Sequence, residues 1–279
     1  MLEIKNLSKS YKKHKVLDNV SYHFTPGVYG LLGENGAGKT TLLRCISDII
    51  SGDSGEILWK DAPVADNREF QNALAYLPQK FGAIADISVY QMLQFLAVLK
   101  EIPKARQEEA IMRALKLTGL SDEAKKKATA LSGGMTRRLG IAQMLLGDPE
   151  LMLFDEATVG LDPEERIRFK SVVSQTKQGR IVIISTHVVE EIESLCDRIL
   201  VIHAGKLIAD MTCEQLKAVA EGHVFELAAD RLPSDTPYYM LNEFEQNGER
   251  HCRILSMDAL QAPPVKPSLE EGYLCLIHS

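Results

Sequence analysis

The residues with the clearest chemistry are nine in a row: Gly33-Glu34-Asn35-Gly36-Ala37-Gly38-Lys39-Thr40-Thr41. They fit the pattern G-x-x-x-x-G-K-[ST], in which backbone N–H groups converge on phosphate oxygens that a Cβ would hold away. Lys39 would reach the β- and γ-phosphates, and the Thr40 hydroxyl would ligate Mg²⁺. Ahead of the loop, Val28-Tyr29-Gly30-Leu31-Leu32 is apolar and of strand length; behind it, Thr41-Leu42-Leu43-Arg44-Cys45-Ile46 has helical apolar spacing. A strand, a glycine-rich turn and a helix N-terminus make a phosphate cradle, so this stretch implies nucleotide binding.

A second chemical set lies far downstream. Leu151-Met152-Leu153-Phe154-Asp155-Glu156 is an apolar run ending in adjacent carboxylates. A buried strand that delivers two acids at its C-terminal end is costly unless the acids work, and ligands of open α/β sheets sit at those strand ends. Asp155 is expected in the Mg²⁺ shell, directly or through water, and Glu156 as the general base that polarises an attacking water. The competing reading is a carboxylate pair that caps the next helix.

Other residues carry less on their own. Gln79 ends an apolar run and could reach Mg²⁺ or the attacking water, although a lone glutamine is usually a solvated loop residue. His187 ends another and could contact a γ-phosphate; alone it reads as a structural histidine. Leu131-Ser132-Gly133-Gly134-Met135 opens a helical stretch, and its serine and two glycines offer a second anion site at a helix start. Tyr11, between two early strands, could stack on an adenine ring; locally it reads as an ordinary half-exposed tyrosine.

These residues need elements to hold them. Residues 2–4 and 20–24 alternate as half-buried strands do, and with residues 56–59 they suggest a small antiparallel sheet. Residues 73–79 read as a buried strand stopped by Pro78. From 88 to 146 the apolar spacing is helical, with Ser88 as an N-cap and Ile102-Pro103 separating the first two helices. Asp162 and Pro163 suit the N-cap and N1 of a helix over 164–176. Residues 180–187 form a third buried strand, and 198–202 with 206–209 a hairpin turned at Ala204-Gly205. Strands alternating with helices give an α/β fold: a mostly parallel sheet with helices on both faces. After about Ala220, short strand-like pieces alternate with polar, proline-containing loops at 231–237 and 262–267, as in a small α+β appendage.

Composition sets the outer limits. The chain has 279 residues, 45% hydrophobic and 25% charged, enough for a core without metals or disulfides. A net charge of −6 argues against general nucleic-acid binding, and none is expected. Five scattered cysteines with no C-x-x-C spacing read as free thiols in a reducing compartment. No secretory h-region and no run of eighteen or so apolar residues is visible, so a membrane role requires a partner.

Taken in order, the glycine loop, Gln79, Leu131-Ser132-Gly133-Gly134-Met135, Asp155-Glu156, Leu161-Asp162 and His187 resemble the nucleotide-binding subunit of an ABC transporter. The resemblance covers about residues 1–215. It implies a P-loop NTPase core with an antiparallel β subdomain and an α-helical signature subdomain near 84–147, followed by the small C-terminal domain at 216–279. It implies ATP and Mg²⁺ as ligands, Tyr11 as the adenine-stacking residue, and catalytic roles for Gln79, Glu156 and His187. Thr40, Gln79 and Asp155 would serve the metal. It also implies a homodimer or pseudo-dimer that sandwiches two ATP molecules, each held by one copy's residues 33–41 and the other's Ser132, Gly133 and Gly134.

One residue departs from the family pattern: Met135 stands where the commonest signature has glutamine. Methionine cannot hydrogen-bond equivalently, but Ser132 and both glycine amides remain. Ala157-Thr158-Val159-Gly160-Leu161-Asp162-Pro163, with Pro267-Ser268-Leu269-Glu270-Glu271-Gly272-Tyr273-Leu274, looks like the drug, antibiotic and sodium exporter branch. Such a subunit would sit in the cytoplasm on the inner face of the membrane and drive a separate transmembrane permease. A permease helix would dock near residues 81–89. Two other readings are a soluble ABC ATPase acting on ribosomes or DNA, and a regulatory ATPase working through its C-terminal domain.

Overall fold

The computed structural model of the chain describes residues 1–246 and 248–278. The chain divides into two compact units, Met1–Ala209 and Asp210–Ser279.

The first unit is built on a six-stranded sheet, in spatial order Lys206–Met211, Arg198–His203, Gly27–Leu32, Ile181–Thr186, Leu151–Asp155 and Leu74–Leu77. The runs of Val, Ile and Leu read as buried strands are buried on both faces, as parallel strands must be. Gly27–Leu32 runs parallel to both its neighbours, and Leu151–Asp155 to both of its own. Alternation splits the side chains between two cores. Leu31, Leu153 and Ile183 face one core, shared with Leu43 and Ile46 of the helix Lys39–Ile46. Phe154, Val182 and Ile184 face the other, shared with Phe169 and Val173 of the helix Pro163–Thr176.

A four-stranded sheet, ordered His14–Phe24, Leu2–Tyr11, Ser54–Trp59 and Ala62–Pro63, adds Phe24 and Trp59 to the first core. Its first two strands run well beyond the segments expected from alternation. Tyr11 is therefore not between strands: it is the last residue of one and pairs with His14.

The helices Val89–Leu99, Lys104–Leu117 and Gly133–Met144 pack around Met92, Leu93, Ile111, Leu115, Leu139 and Ala142. Ser88 caps the first in a reciprocal box with Gln91, and Pro103 precedes the second. Asp162 accepts from the Glu165 amide with Pro163 at the start of its helix, as the sequence suggests. Among the described residues, no helix is long and apolar enough to cross a membrane. Among the described residues, no disulfide joins any of the five cysteines.

The second unit holds a three-stranded sheet, ordered Val224–Ala228, Glu249–Leu255 and Tyr239–Gln246, with the helices Cys213–Ala218 and Leu269–His278. The C-terminal helix was not legible because glycine at 272 weakens the helical signal, although the helix runs through it unbroken. That glycine is needed: a Cβ there would lie 2.0 Å from the Leu216 carbonyl oxygen, so the backbones approach closely.

Candidate nucleotide site

The glycine loop links the strand Gly27–Leu32 to the helix Lys39–Ile46. Gly38 sits at φ 110°, and a Cβ there would lie 2.7 Å from the Val16 carbonyl oxygen. At Gly33 a Cβ would lie 2.4 Å from the carbonyl oxygen of Ile202. Two glycines of the motif are thus fixed by packing as well as by room for phosphate. Lys39 is buried, and its Nζ donates to the Gly33 and Glu34 carbonyls at 2.7 and 3.0 Å. Burial lowers the Lys39 pKa, opposed by the charges of Glu156 and Asp155.

Strand alternation explains where the acids go. Asp155 shares the face of Leu151 and Leu153, which packs on the helix that carries Thr40. Its Oδ1 accepts from Thr40 Oγ1 at 3.0 Å and from Ser185 Oγ at 2.8 Å; its Oδ2 accepts from Tyr76 at 3.2 Å. Burial, and then the Asp155 carboxylate, push the Tyr76 phenol up to about 12, so it stays a donor. Glu156 follows in the left-handed region at φ 47°, its amide donating to the carbonyl and hydroxyl oxygens of Ser185. That turn brings three side chains to its carboxylate. Gln79 Nε2 donates to Oε2 at 2.6 Å, His187 Nδ1 lies 3.5 Å from Oε1, and Lys39 Nζ lies 3.7 Å from it.

Tyr11, Asn35, Gly36, Gly38, Lys39, Thr40, Thr41, Gln79, Glu156 and His187 line one cleft of about 660 Å³. Gly33, Glu34 and Ala37 complete the loop without lining the cleft, and Asp155 is buried beneath it. Ser132, Gly133 and Gly134 do not join it. Ser132 Oγ accepts from the Met135 amide and caps the helix Gly133–Met144, while the Met135 side chain packs into the helical core. A Cβ on Gly133 would meet nothing within 4 Å.

Among the described residues, no group of three or more His, Cys, Asp or Glu could hold a metal alone. Mg²⁺ does not require one: it keeps waters and takes one or two protein oxygens plus substrate phosphates. Thr40 Oγ1 and Asp155 Oδ1 are hard oxygens already side by side, so the residues present fit that ion.

Sequence reading missed the supports. Ser185 and Tyr76 orient Asp155, and the signal for Ser185 was a hydroxyl inside a buried aliphatic strand, where it needs a partner. Glu191 is also buried; its Oε2 accepts from Thr158 and, at 2.8 Å, from Thr186, joining the turn after Glu156 to the strand before His187.

By sequence, the family described as "ABC transporter" matches residues 17–159. The chain is 34% identical over 212 residues to the linearmycin resistance ATP-binding protein LnrL of Bacillus subtilis (strain 168), covering 75% of this chain and 68% of that one. It is 34% identical over 258 residues to the Nod factor export ATP-binding protein I of Cupriavidus metallidurans, covering 89% and 84%. Among solved structures, cbiO1 from Clostridium perfringens, described as part of the ABC transporter complex cbiONQ, aligns with a TM-score of 0.69 at 27% identity. That alignment covers 78% of this chain and 90% of the other.

Proposed function

This chain belongs to the ABC transporter family, and we propose that it is the ATP-hydrolysing subunit of an exporter, working as a pair around two ATP molecules. The observation that carries the reading is the convergence of Lys39, Gln79 and His187 on the Glu156 carboxylate, in the cleft that the glycine loop lines.

Each side chain has a role there. The loop amides and Lys39 hold the β- and γ-phosphates, and Tyr11 stacks on the adenine. Thr40 and Asp155 hold Mg²⁺, which would neutralise charge on the phosphate oxygens. Glu156 accepts a proton from the attacking water, and Gln79 orients that carboxylate and the water. His187 donates toward the γ-phosphate.

Ser132, Gly133 and Gly134 lie outside the cleft of their own chain, which supports a second copy as the source of the opposite wall. ATP would then close the pair and loss of γ-phosphate would release it. Export through a separate permease, from the inner face of the membrane, is supported by relatives named for linearmycin resistance and Nod factor export. The same names weigh against a ribosome- or DNA-directed ATPase.

Glu156→Gln tests the assignment. The amide keeps the hydrogen-bonding shape but cannot take a proton, so turnover falls by about 10²–10⁴-fold while ATP binding and a trapped dimer persist. Hydrolysis by that variant at the parental rate would remove Glu156 from its role.

A further inference from the structure

Arg137 lies one turn into the helix Gly133–Met144, five residues after its N-cap Ser132. A guanidinium carries five N–H donors in a planar fork, and here all five reach backbone carbonyls. Nε donates to Ala157 at 2.8 Å, Nη1 to Pro78 at 3.2 Å and Gln79 at 3.1 Å, and Nη2 to Asp155 at 3.4 Å and Glu156 at 2.9 Å. The acceptors belong to two segments, 78–79 and 155–157, which emerge from the neighbouring strands Leu74–Leu77 and Leu151–Asp155. Those segments carry Gln79 and Glu156, whose side chains meet at 2.6 Å.

The same helix face is pressed against one of them. Gly140, three residues on, would place a Cβ 2.7 Å from Leu77 Cδ1 and 3.1 Å from the Phe81 ring. Arg137 itself does not line the nucleotide cleft. Its five hydrogen bonds all go to backbone carbonyls of 78–79 and 155–157, none of them in the phosphate loop.

We propose that Arg137 is a positioning residue for hydrolysis: it fastens the segments bearing Gln79 and Glu156 to the helix whose first turn faces a partner copy's nucleotide. The inference rests on the ATPase reading above. It explains how a helix start belonging to one half-site is tied to the base of the other: movement of Ser132–Gly134 on docking is carried by a fork with five contacts. Lysine could supply the charge but only a compact group of three donors, which cannot span two backbone segments.

The test compares Arg137→Ala and Arg137→Lys with the parent chain, reading turnover, KM for MgATP, the Hill coefficient in ATP and the stoichiometry of bound ATP. The expected result is a fall in kcat of about tenfold or more with KM within about twofold. The Hill coefficient moves toward one, a full complement of ATP remains bound, and lysine does not rescue. Parental kcat in Arg137→Ala, or full rescue by Arg137→Lys, overturns the inference. So does a fall in kcat that matches a fall in bound ATP, which would mark a folding defect. A parent chain that does not hydrolyse ATP overturns the ATPase reading and this inference with it; turnover in the parent separates the two.

Discussion

Thr40 Oγ1 and Asp155 Oδ1 meet in a 3.0 Å hydrogen bond, although 115 residues separate them in the chain. On the proposed reading, a cation would be held at this contact between the phosphate loop and the downstream strand. Asp155→Asn keeps the size but loses the charge, and Thr40→Val loses the hydroxyl. Each is expected to raise the Mg²⁺ concentration for half-maximal turnover by roughly tenfold or more, whereas Thr40→Ser stays near the parent. A magnesium titration of ATPase activity checks this; an unchanged midpoint in Asp155→Asn would put that residue outside the ion's shell.

Tyr11 is 47% exposed at the cleft rim, with Lys9 Nζ 5.9 Å from its ring centroid. An exposed aromatic costs little to keep if it waits for a base. Base–aromatic stacking contributes about 1–3 kcal/mol, so Tyr11→Ala should weaken ATP binding about tenfold. Tyr11→Phe should not. Calorimetric titration with ATP and with tripolyphosphate separates the effects: a weakening equal for both ligands would show that the ring does not read the base.

Gly33 and Gly133 should respond to alanine in opposite ways. At Gly33 the new methyl would lie against the Ile202 carbonyl, and a loss of about 1–3 kcal/mol of stability is expected. At Gly133 the methyl enters open space and alanine favours the helix, so the melting temperature should hold or rise. Turnover should nevertheless drop by about 10–200-fold, because in the proposed pair that space would take a partner copy's nucleotide. Thermal melts alongside ATPase assays decide it; a fully active Gly133→Ala would argue against that role.

Lys100 offers a pH test independent of catalysis. Its Nζ donates to the Leu74 carbonyl at 3.3 Å, and burial lowers its pKa below the ordinary value. Below the folded-state pKa both folded and unfolded chains carry the charge, and the burial cost is present in full. Between that pKa and the unfolded value of about 10.4, the unfolded chain binds the extra proton, so stability rises with pH. Urea denaturation from neutral to alkaline pH should show a flatter profile for Lys100→Met than for the parent. Parallel profiles would mean that Lys100 titrates alike in both states.

Local signals made much of this legible. The phosphate loop needs its glycines and lysine contiguous, the strand carrying Asp155 is an unbroken apolar run, and Ser88, Ser132 and Asp162 cap the helices they precede. Residues working across long separations were not. Ser185 reads as one polar residue in an aliphatic strand until Asp155 is beside it, and nothing near Arg137 announces five carbonyls from two other segments. In the second unit, Tyr239–Gln246 is mostly exposed and lacks the alternation that betrays a strand.

Glu156 occupies a backbone region that costs a side-chain-bearing residue roughly 1 kcal/mol or more, and it is nearly buried as well. Glycine would relax that turn without strain. If Glu156 is the general base proposed above, heat resistance and turnover pull on one codon in opposite directions. A lineage released from the need to hydrolyse ATP, yet still required to fold, would gain by giving up this glutamate first. On the proposed reading, the general-base role of Glu156 is what offsets that strain.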